Sequence, residues 1–205
     1  MDGVRPAPTT ETVTGDDWYG EDLTGRVETA VAFVDLEMTE TTSTSGCNFE
    51  GCTFRDSRFN LSVHAGAGFV NVTFINCSFF GARFTDCKFV GAAFDRCTFD
   101  QLSVEGGDWS FVGLSGADLR NVSFDGVRMR EVDLSGARCD GAKLRRLDLS
   151  GASFAKASLE GCDLRGTDLS SIDPWTVALR SAVIDVQQAI TLASVMGLDV
   201  RDEEI

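Results

Sequence analysis

The sequence predicts an all-β solenoid of short strands that ends in a short α-helix, and three patterns predict it. Apolar residues recur at every fifth position from Phe49 to Leu169, and Phe or Leu fills 20 of these 25 positions. The residue two positions before each of them is nearly always small or β-branched, and glycine fills 12 of the 25 positions two residues after them. We call each every-fifth residue a centre and each position two residues after it a corner.

A period of five fits neither an α-helix nor a long strand, but it fits a short extended piece followed by a turn. A centre and the residue two positions before it then face the same side, and corner glycines tolerate the backbone angles that tight turns need. Such a chain winds into a solenoid with both apolar columns inside. Each buried Phe or Leu contributes roughly 1.5–3 kcal/mol before conformational entropy is subtracted.

The chain is predicted to have three segments. Residues 1–17 form a disordered tail, residues 18–184 form the solenoid, and residues 185–205 form a capping or dimerisation helix with a short tail. Residues 18–46 are an irregular first coil, because their centres are offset by one position from the later ones. We expect residues 39–46 to absorb that offset as a loop.

The predicted helix begins after Asp185, a good N-cap residue, with Gln188 at the third helical position and Gly197 as a natural stop. Five residues follow at helical spacing on one face: Val186, Ala189, Ile190, Ala193 and Met196. This helix is interpreted either as a cap on the last coil or as a cap that also makes a dimer contact, with Leu192 and Val195 left for the partner.

Composition excludes several functions. The formal net charge of −14 argues against nucleic-acid binding, because phosphates need a cationic surface. The chain has neither an apolar run near the ~18 residues that a membrane span needs nor an apolar signal-peptide core near residue 1, so a cytoplasmic protein is expected. The acids are concentrated at the ends, since residues 1–45 hold ten acids and two bases while residues 46–171 are nearly neutral.

Catalytic, cofactor and metal sites are not predicted. The single histidine, His64, occupies a centre and favours a structural role over catalysis, and the seven cysteines contain no C-x-x-C pair that would suggest zinc. Cys77 and Cys97 are 20 residues apart on one face, close enough to bridge, but a reducing cytosol favours packed thiols.

Two stretches identify a family resemblance. Residues 117–121 (Ala-Asp-Leu-Arg-Asn) and 162–166 (Cys-Asp-Leu-Arg-Gly) match the A(D/N)LXX pattern, so the chain resembles the pentapeptide-repeat proteins over most of residues 49–184. The resemblance implies a right-handed quadrilateral β-helix with four pentapeptides per coil, in which residues 20 apart stack.

The C-terminal segment resembles one branch of that family, the MfpA and Qnr fluoroquinolone-resistance proteins, through Asp173-Pro174, Trp175 and residues 186–189 (Val-Gln-Gln-Ala). The resemblance implies a protein without enzymatic activity or cofactor that dimerises through its C-terminal helix and imitates duplex DNA. It implies binding to DNA gyrase, inhibition or modulation of supercoiling, and protection from fluoroquinolones. The candidate dimer contacts are Trp175, Val186, Ala189, Ile190, Leu192, Ala193 and Met196. The alternative is a solenoid scaffold for a different protein partner.

Six aspartates directly precede centres in the C-terminal half and are the candidate gyrase contacts: Asp108, Asp118, Asp133, Asp148, Asp163 and Asp168. Asp148 and Asp168 would stack on one face near the proposed dimer junction. Aspartates at this position could instead serve only to bond the turn backbone.

Overall fold

The computed structural model describes residues 5–201 and has the predicted all-β solenoid architecture with one C-terminal helix. The strands are β1 (Glu11–Thr14), β2 (Val27–Thr29), β3 (Val31–Val34), β4 (Thr42–Ser43), β5 (Asn48–Glu50), β6 (Thr53–Arg55), β7 (Val63–Ala65), β8 (Gly68–Val70), β9 (Thr73–Ile75), β10 (Arg83–Thr85), β11 (Ala93–Asp95), β12 (Ser103–Glu105), β13 (Ser123–Asp125) and β14 (Lys143–Arg145). The helix is α1 (Val186–Val195).

The strands pair only in parallel, and they form three faces of a four-sided rod. The sheet orders are β1-β3-β6-β9-β11, β14-β13-β12-β10-β7-β4 and β2-β5-β8. A series of parallel bridges that includes Ser78 with Thr98 forms the fourth face. On the first face eight rungs stack from Val13 to Phe154. Their seven steps, at the ~4.8 Å spacing of neighbouring strands, make a rod roughly 34 Å long.

The register accounts for the offset seen in the sequence. Phe54, Phe74 and Phe94 pair at intervals of 20 residues, whereas Phe33 pairs with Phe54 at an interval of 21. The extra residue lies between Thr42 and Ser45, within the segment expected to absorb the offset, although Thr42 and Ser43 there form β4 and not a loop.

The N-terminal boundary differs from the expectation of a disordered tail over residues 1–17. Residues 11–14 form β1, which pairs with β3, and Asp17 bridges to Glu37. The sequence pattern is weak here because the first centre is the small Val13 and acids occupy positions where later coils have small residues. Residues 1–4 and 202–205 of the predicted tails lie outside the described residues.

The centres fill the interior of the rod. Phe54, Phe74 and Phe94 are buried and stack with ring centroids 5.4 and 4.8 Å apart. Six of the seven cysteines are buried and Cys97 is half-buried, and all seven are free thiols, as expected.

The corners adopt left-handed backbone, which explains the glycine pattern. Every corner from residue 51 to residue 166 has positive φ except Asn121. Left-handed backbone is unfavourable in free energy for L-residues with a Cβ but not for glycine. The glycines therefore lie at the positions where the sequence predicted turns. Gly107 is a different case. It has a φ of 85° and lies in the interior column, where an added Cβ would come within 2.2 Å of the carbonyl oxygen of Cys87.

His64 belongs to the core. It is fully buried at a centre, where its ring stacks on Phe84 at 5.5 Å and its Nδ1 lies 2.8 Å from Ser43 Oγ, the centre of the preceding coil. Burial lowers the pKa of His64 to about 4, so the ring is neutral at pH 7. The structural role predicted for it fits these contacts.

Helix α1 covers the last coil through a contact different from the one the spacing suggested. Asp185 and Gln188 form the predicted capping box. Gln188 is buried, and its Nε2 donates to the carbonyl oxygens of Leu164 and Thr167 at 2.6 and 2.7 Å, while Leu192 packs against the core. The side of the helix that carries Gln188 and Leu192 therefore faces the last coil. It does so because the side-chain amide of Gln188 donates hydrogen bonds to backbone carbonyls of that coil.

None of the helices in the described chain has the length and apolar character needed to cross a bilayer.

Replacing Gly107 with alanine is expected to destabilise the rod by about 3 kcal/mol, because the new methyl meets backbone and the left-handed conformation is strained. The matched variant Gly126→Ala also has positive φ, but nothing lies within 4 Å of its Cβ. It should lose only about 1 kcal/mol. Urea unfolding monitored by circular dichroism measures both, and equal losses would contradict the packing of Gly107 against Cys87.

The buried neutral His64 should make stability depend on pH. Its folded pKa of about 4 lies below the ~6.5 of an unfolded histidine, so the unfolded chain binds more protons in between. Stability is then complete above about pH 6.5 and falls as the pH drops towards 4, by about 3 kcal/mol. The variant His64→Phe should lose that part of the dependence. Urea unfolding at pH 7 and pH 4.5 measures it, and an identical change in both proteins would contradict the burial of a neutral ring.

Candidate protein-interaction surface

The six predicted aspartates all stabilise the turns that they begin. Each carboxylate accepts a hydrogen bond from the backbone N–H two residues later, at 2.9–3.4 Å. The donors are Ser110, Arg120, Ser135, Ser150, Arg165 and Ser170. The turn hydrogen bonds expected of these residues are therefore present, and a role in binding would be additional to them.

Four of the six aspartates also form ion pairs with arginines. Asp108 pairs with Arg128 and Asp148 with Arg130, at 3.1 and 2.6 Å. Asp118 pairs with Arg120 and Arg138, both at 2.7 Å, and Asp163 pairs with Arg165 at 2.7 Å. Hydrogen bonding from the Arg165 guanidinium, partly opposed by desolvation, lowers the pKa of Asp163 to about 2.

These pairs arise from the 20-residue stacking. Lys88, Asp108, Arg128 and Asp148 occupy successive rungs of one face, so that charge alternates along the rod. Asp148 and Asp168 lie on the same face, as expected, and the hydroxyl of Ser150 lies 2.6 Å from the first carboxylate and 3.4 Å from the second. The C-terminal half consequently presents ion pairs beside carboxylates that form none within the described residues, among them Asp133 and Asp168.

The first two coils have a different surface, which the sequence analysis did not single out. Seven exposed acids there form no ion pair within the described part of the chain: Glu11, Asp16, Asp17, Glu21, Asp22, Asp35 and Glu40. Arg26 pairs with Glu28 and lies over the Trp18 ring, and Arg58 pairs with Glu37. The net charge of residues 1–45 indicated this acidic surface. It was not assigned to the rod because residues 1–17 were expected to form a disordered tail and residues 18–46 an irregular coil.

The outer side of α1 is apolar and exposed. Val186 is 79% exposed, and Ala189, Ile190 and Met196 are also exposed, with Trp175, at 74%, on the last coil. Of the seven predicted dimer contacts, Leu192 and Ala193 are half-buried, and Leu192 packs on the core of its own chain. We call Trp175, Val186, Ala189, Ile190 and Met196 the helix face.

The surfaces described above offer charged groups and apolar side chains for binding. In residues 5–201, no group of three or more His, Cys, Asp or Glu residues is arranged to hold a metal ion. The buried centres fill the rod interior, and the features described here for binding lie on its surface.

Comparisons with known proteins agree with this architecture. Residues 77–154 match the family model described as pentapeptide repeat region. No curated protein sequence matches the chain. Two solved structures of QnrB1, a plasmid-mediated fluoroquinolone resistance protein, are similar. A trypsin-treated variant is 22% identical with a TM-score of 0.57, over 94% of this chain and 99% of QnrB1. The full-length protein is 20% identical with a TM-score of 0.50, over 93% of this chain and 99% of QnrB1.

The strand pairing, the filled interior and the matched repeats lead to the same assignment. Residues 77–154 are a pentapeptide repeat region, and the chain has the right-handed quadrilateral β-helix fold of the pentapeptide-repeat proteins.

Proposed function

We propose that this chain is a non-enzymatic mimic of DNA that binds DNA gyrase, inhibits or modulates its supercoiling, and protects it from fluoroquinolones. The observation that carries the proposal is a filled rod with a net negative charge, whose first two coils present seven exposed acids without an ion pair in the part of the chain that the structure describes. A rod with this surface can enter a groove that receives duplex DNA. The similarity of fold to QnrB1 supports the same assignment.

The charge balance favours local imitation of DNA. Duplex DNA carries about one negative charge per 1.7 Å, so a length of ~34 Å holds roughly 20. One protomer carries a net −14, of which residues 1–45 contribute −8. A basic protein surface is attracted by the summed electrostatic potential of the rod. Acids that are paired with arginines contribute little to that potential. We therefore propose that the first two coils provide much of the attraction, while the six C-terminal aspartates remain candidate contacts.

We further propose that two chains associate through the helix face, producing one long rod. Three apolar side chains of α1, the C-cap Met196 and the Trp175 ring of the last coil are exposed, although the helix already caps its own last coil with its other side. Exposed apolar patches of this kind mark interaction sites. A second copy offers the same face and so satisfies a two-fold interface.

Purified protein is expected to inhibit gyrase supercoiling at micromolar or lower concentration and to reduce fluoroquinolone-induced DNA cleavage. Gel assays of relaxed plasmid measure both effects. A protein that leaves both reactions unchanged rejects the proposal, and recovery of a different protein without a topoisomerase in a pull-down would favour the scaffold alternative.

Two variants with equal charge changes locate the contact. Asp17→Asn/Asp22→Asn changes the first coil, and Asp148→Asn/Asp168→Asn changes the C-terminal half. Asparagine keeps the acceptor oxygen that bonds the N–H two residues later in all four turns. The N-terminal variant is expected to lose inhibition several-fold more than the C-terminal one. The opposite order would assign the main contact to the C-terminal aspartates.

The helix face should control association. The variant Ile190→Glu introduces a charge on that face and is expected to be monomeric, with the far-ultraviolet circular dichroism of the parent, because residue 190 is exposed. Gln187→Glu adds the same charge at an exposed polar position of α1 and should stay dimeric. Sedimentation velocity distinguishes the two species, and a monomeric parent chain would contradict the proposed dimer.

A further inference from the structure

Near the middle of the rod, one face lacks the backbone bonds that join the coils immediately before and after this level. On this face the centre Phe79 donates its N–H to Thr98 at 2.9 Å, and Leu119 donates to Arg138 at 2.7 Å. Between them, Phe99 makes no such bond to Asp118 within the described residues, and Gln101 makes none to Arg120. The return bond, from the N–H of Asp118 to the carbonyl of Cys97, is also missing there, as is the bridge that would pair the two coils.

A cleft occupies the place of these bonds. A cavity of about 350 Å³ opens between the two coils and is lined by Cys97, Thr98, Phe99, Asp100, Asp118, Arg120 and Asn121. Cys97 is the one half-buried cysteine among seven, and it is one of the residues that line this cavity. The two neighbouring faces stay bonded at this level, because Phe94 donates to Gly113 at 3.1 Å and Ser123 donates to Leu102 at 2.9 Å.

Two features of the sequence coincide at the level where the coils separate. The centres of this face change from Phe59, Phe79 and Phe99, which stack at 4.9 and 5.7 Å, to Leu119, which offers no ring to stack on. In addition, Asn121 is the one corner between residues 51 and 166 without left-handed backbone. Its Nδ2 instead donates to Asp100 Oδ1 across the cleft at 2.8 Å.

We propose that this cleft is a hinge between two blocks of the rod, one ending near Gln101 and one beginning near Asp118. Three faces stay bonded at this level while the fourth is open, which is the geometry of a joint that bends about the closed side. In a solenoid each coil contacts only its neighbours, so an internal interface that lacks bonds on one face opens more readily than the fully bonded interfaces beside it. The bending adjusts the axis of the rod without exposing the ends of either block.

Amide hydrogen exchange in the unaltered protein tests the hinge. The amides of Phe99, Gln101 and Asp118 should exchange at least a hundredfold faster than those of Phe79, Gly81 and Thr98, which occupy the same positions one coil earlier and are bonded. In low urea the loss of protection should begin at this level and divide the chain into two blocks. Equal protection of both sets, or loss of protection in all coils at one urea concentration, overturns the proposal.

A corner variant tests the cause. Asn121→Gly removes the bridge to Asp100 and permits left-handed backbone, so it is expected to close the cleft and slow labelling of Cys97 by a maleimide at least tenfold. Asn76→Gly is the matched control, since Asn76 already has positive φ and also donates to an aspartate of the coil below, Asp56. It should leave Cys97 labelling unchanged. Labelling of Cys97 no faster than that of the six buried cysteines in the parent, or unaffected by Asn121→Gly, contradicts the hinge.

Discussion

The stacking of centres inside the rod is the interaction on which the rest of the structure depends. A side chain at every fifth residue must reach the interior, and this requires a left-handed corner two residues later in almost every repeat. Once the corners are set, residues 20 apart become neighbours, and backbone hydrogen bonds form between successive coils. Phe–Phe stacking at 4.7–5.7 Å then holds the coils in register. The hinge lies where the ring stack of one face ends at Phe99.

The same spacing determines the surface. Because each coil repeats the previous one, an arginine 20 residues from an aspartate lies beside it, and Asp108, Arg128 and Asp148 alternate along one face. Residues 46–171 are thus nearly neutral although they are rich in acids. The first coils have few bases and keep their negative charge. A partner that recognises polyanions would therefore meet a rod that is acidic at its N-terminal end.

Much of this architecture could be predicted from the sequence, and the failures have physical reasons. The core columns and the capping box follow from periodicity and local hydrogen bonding, so Phe54, Phe74 and Asp185 were assigned correctly. The cap contact of Gln188 was missed because it depends on carbonyls of a distant coil, and the early strand β1 was missed because its centre, Val13, is small. The ion pairs between aspartates and arginines were indicated in the sequence by acids and bases that alternate at intervals of 20 residues. Recognising them as pairs requires knowing which residues of successive coils lie side by side. The open cleft left no periodic signal, because Phe99, Leu119 and Asn121 each fit the repeat.

The proposal that a filled acidic rod occupies the site of DNA on gyrase is tested most directly by competition at equilibrium. Gyrase bound to a fluorescently labelled duplex would be titrated with the unlabelled protein while the anisotropy of the duplex is followed. The account predicts complete displacement of the duplex, with an apparent affinity that weakens in proportion to the duplex concentration. A protein that binds gyrase while the duplex stays bound, or that does not bind at all, would contradict it.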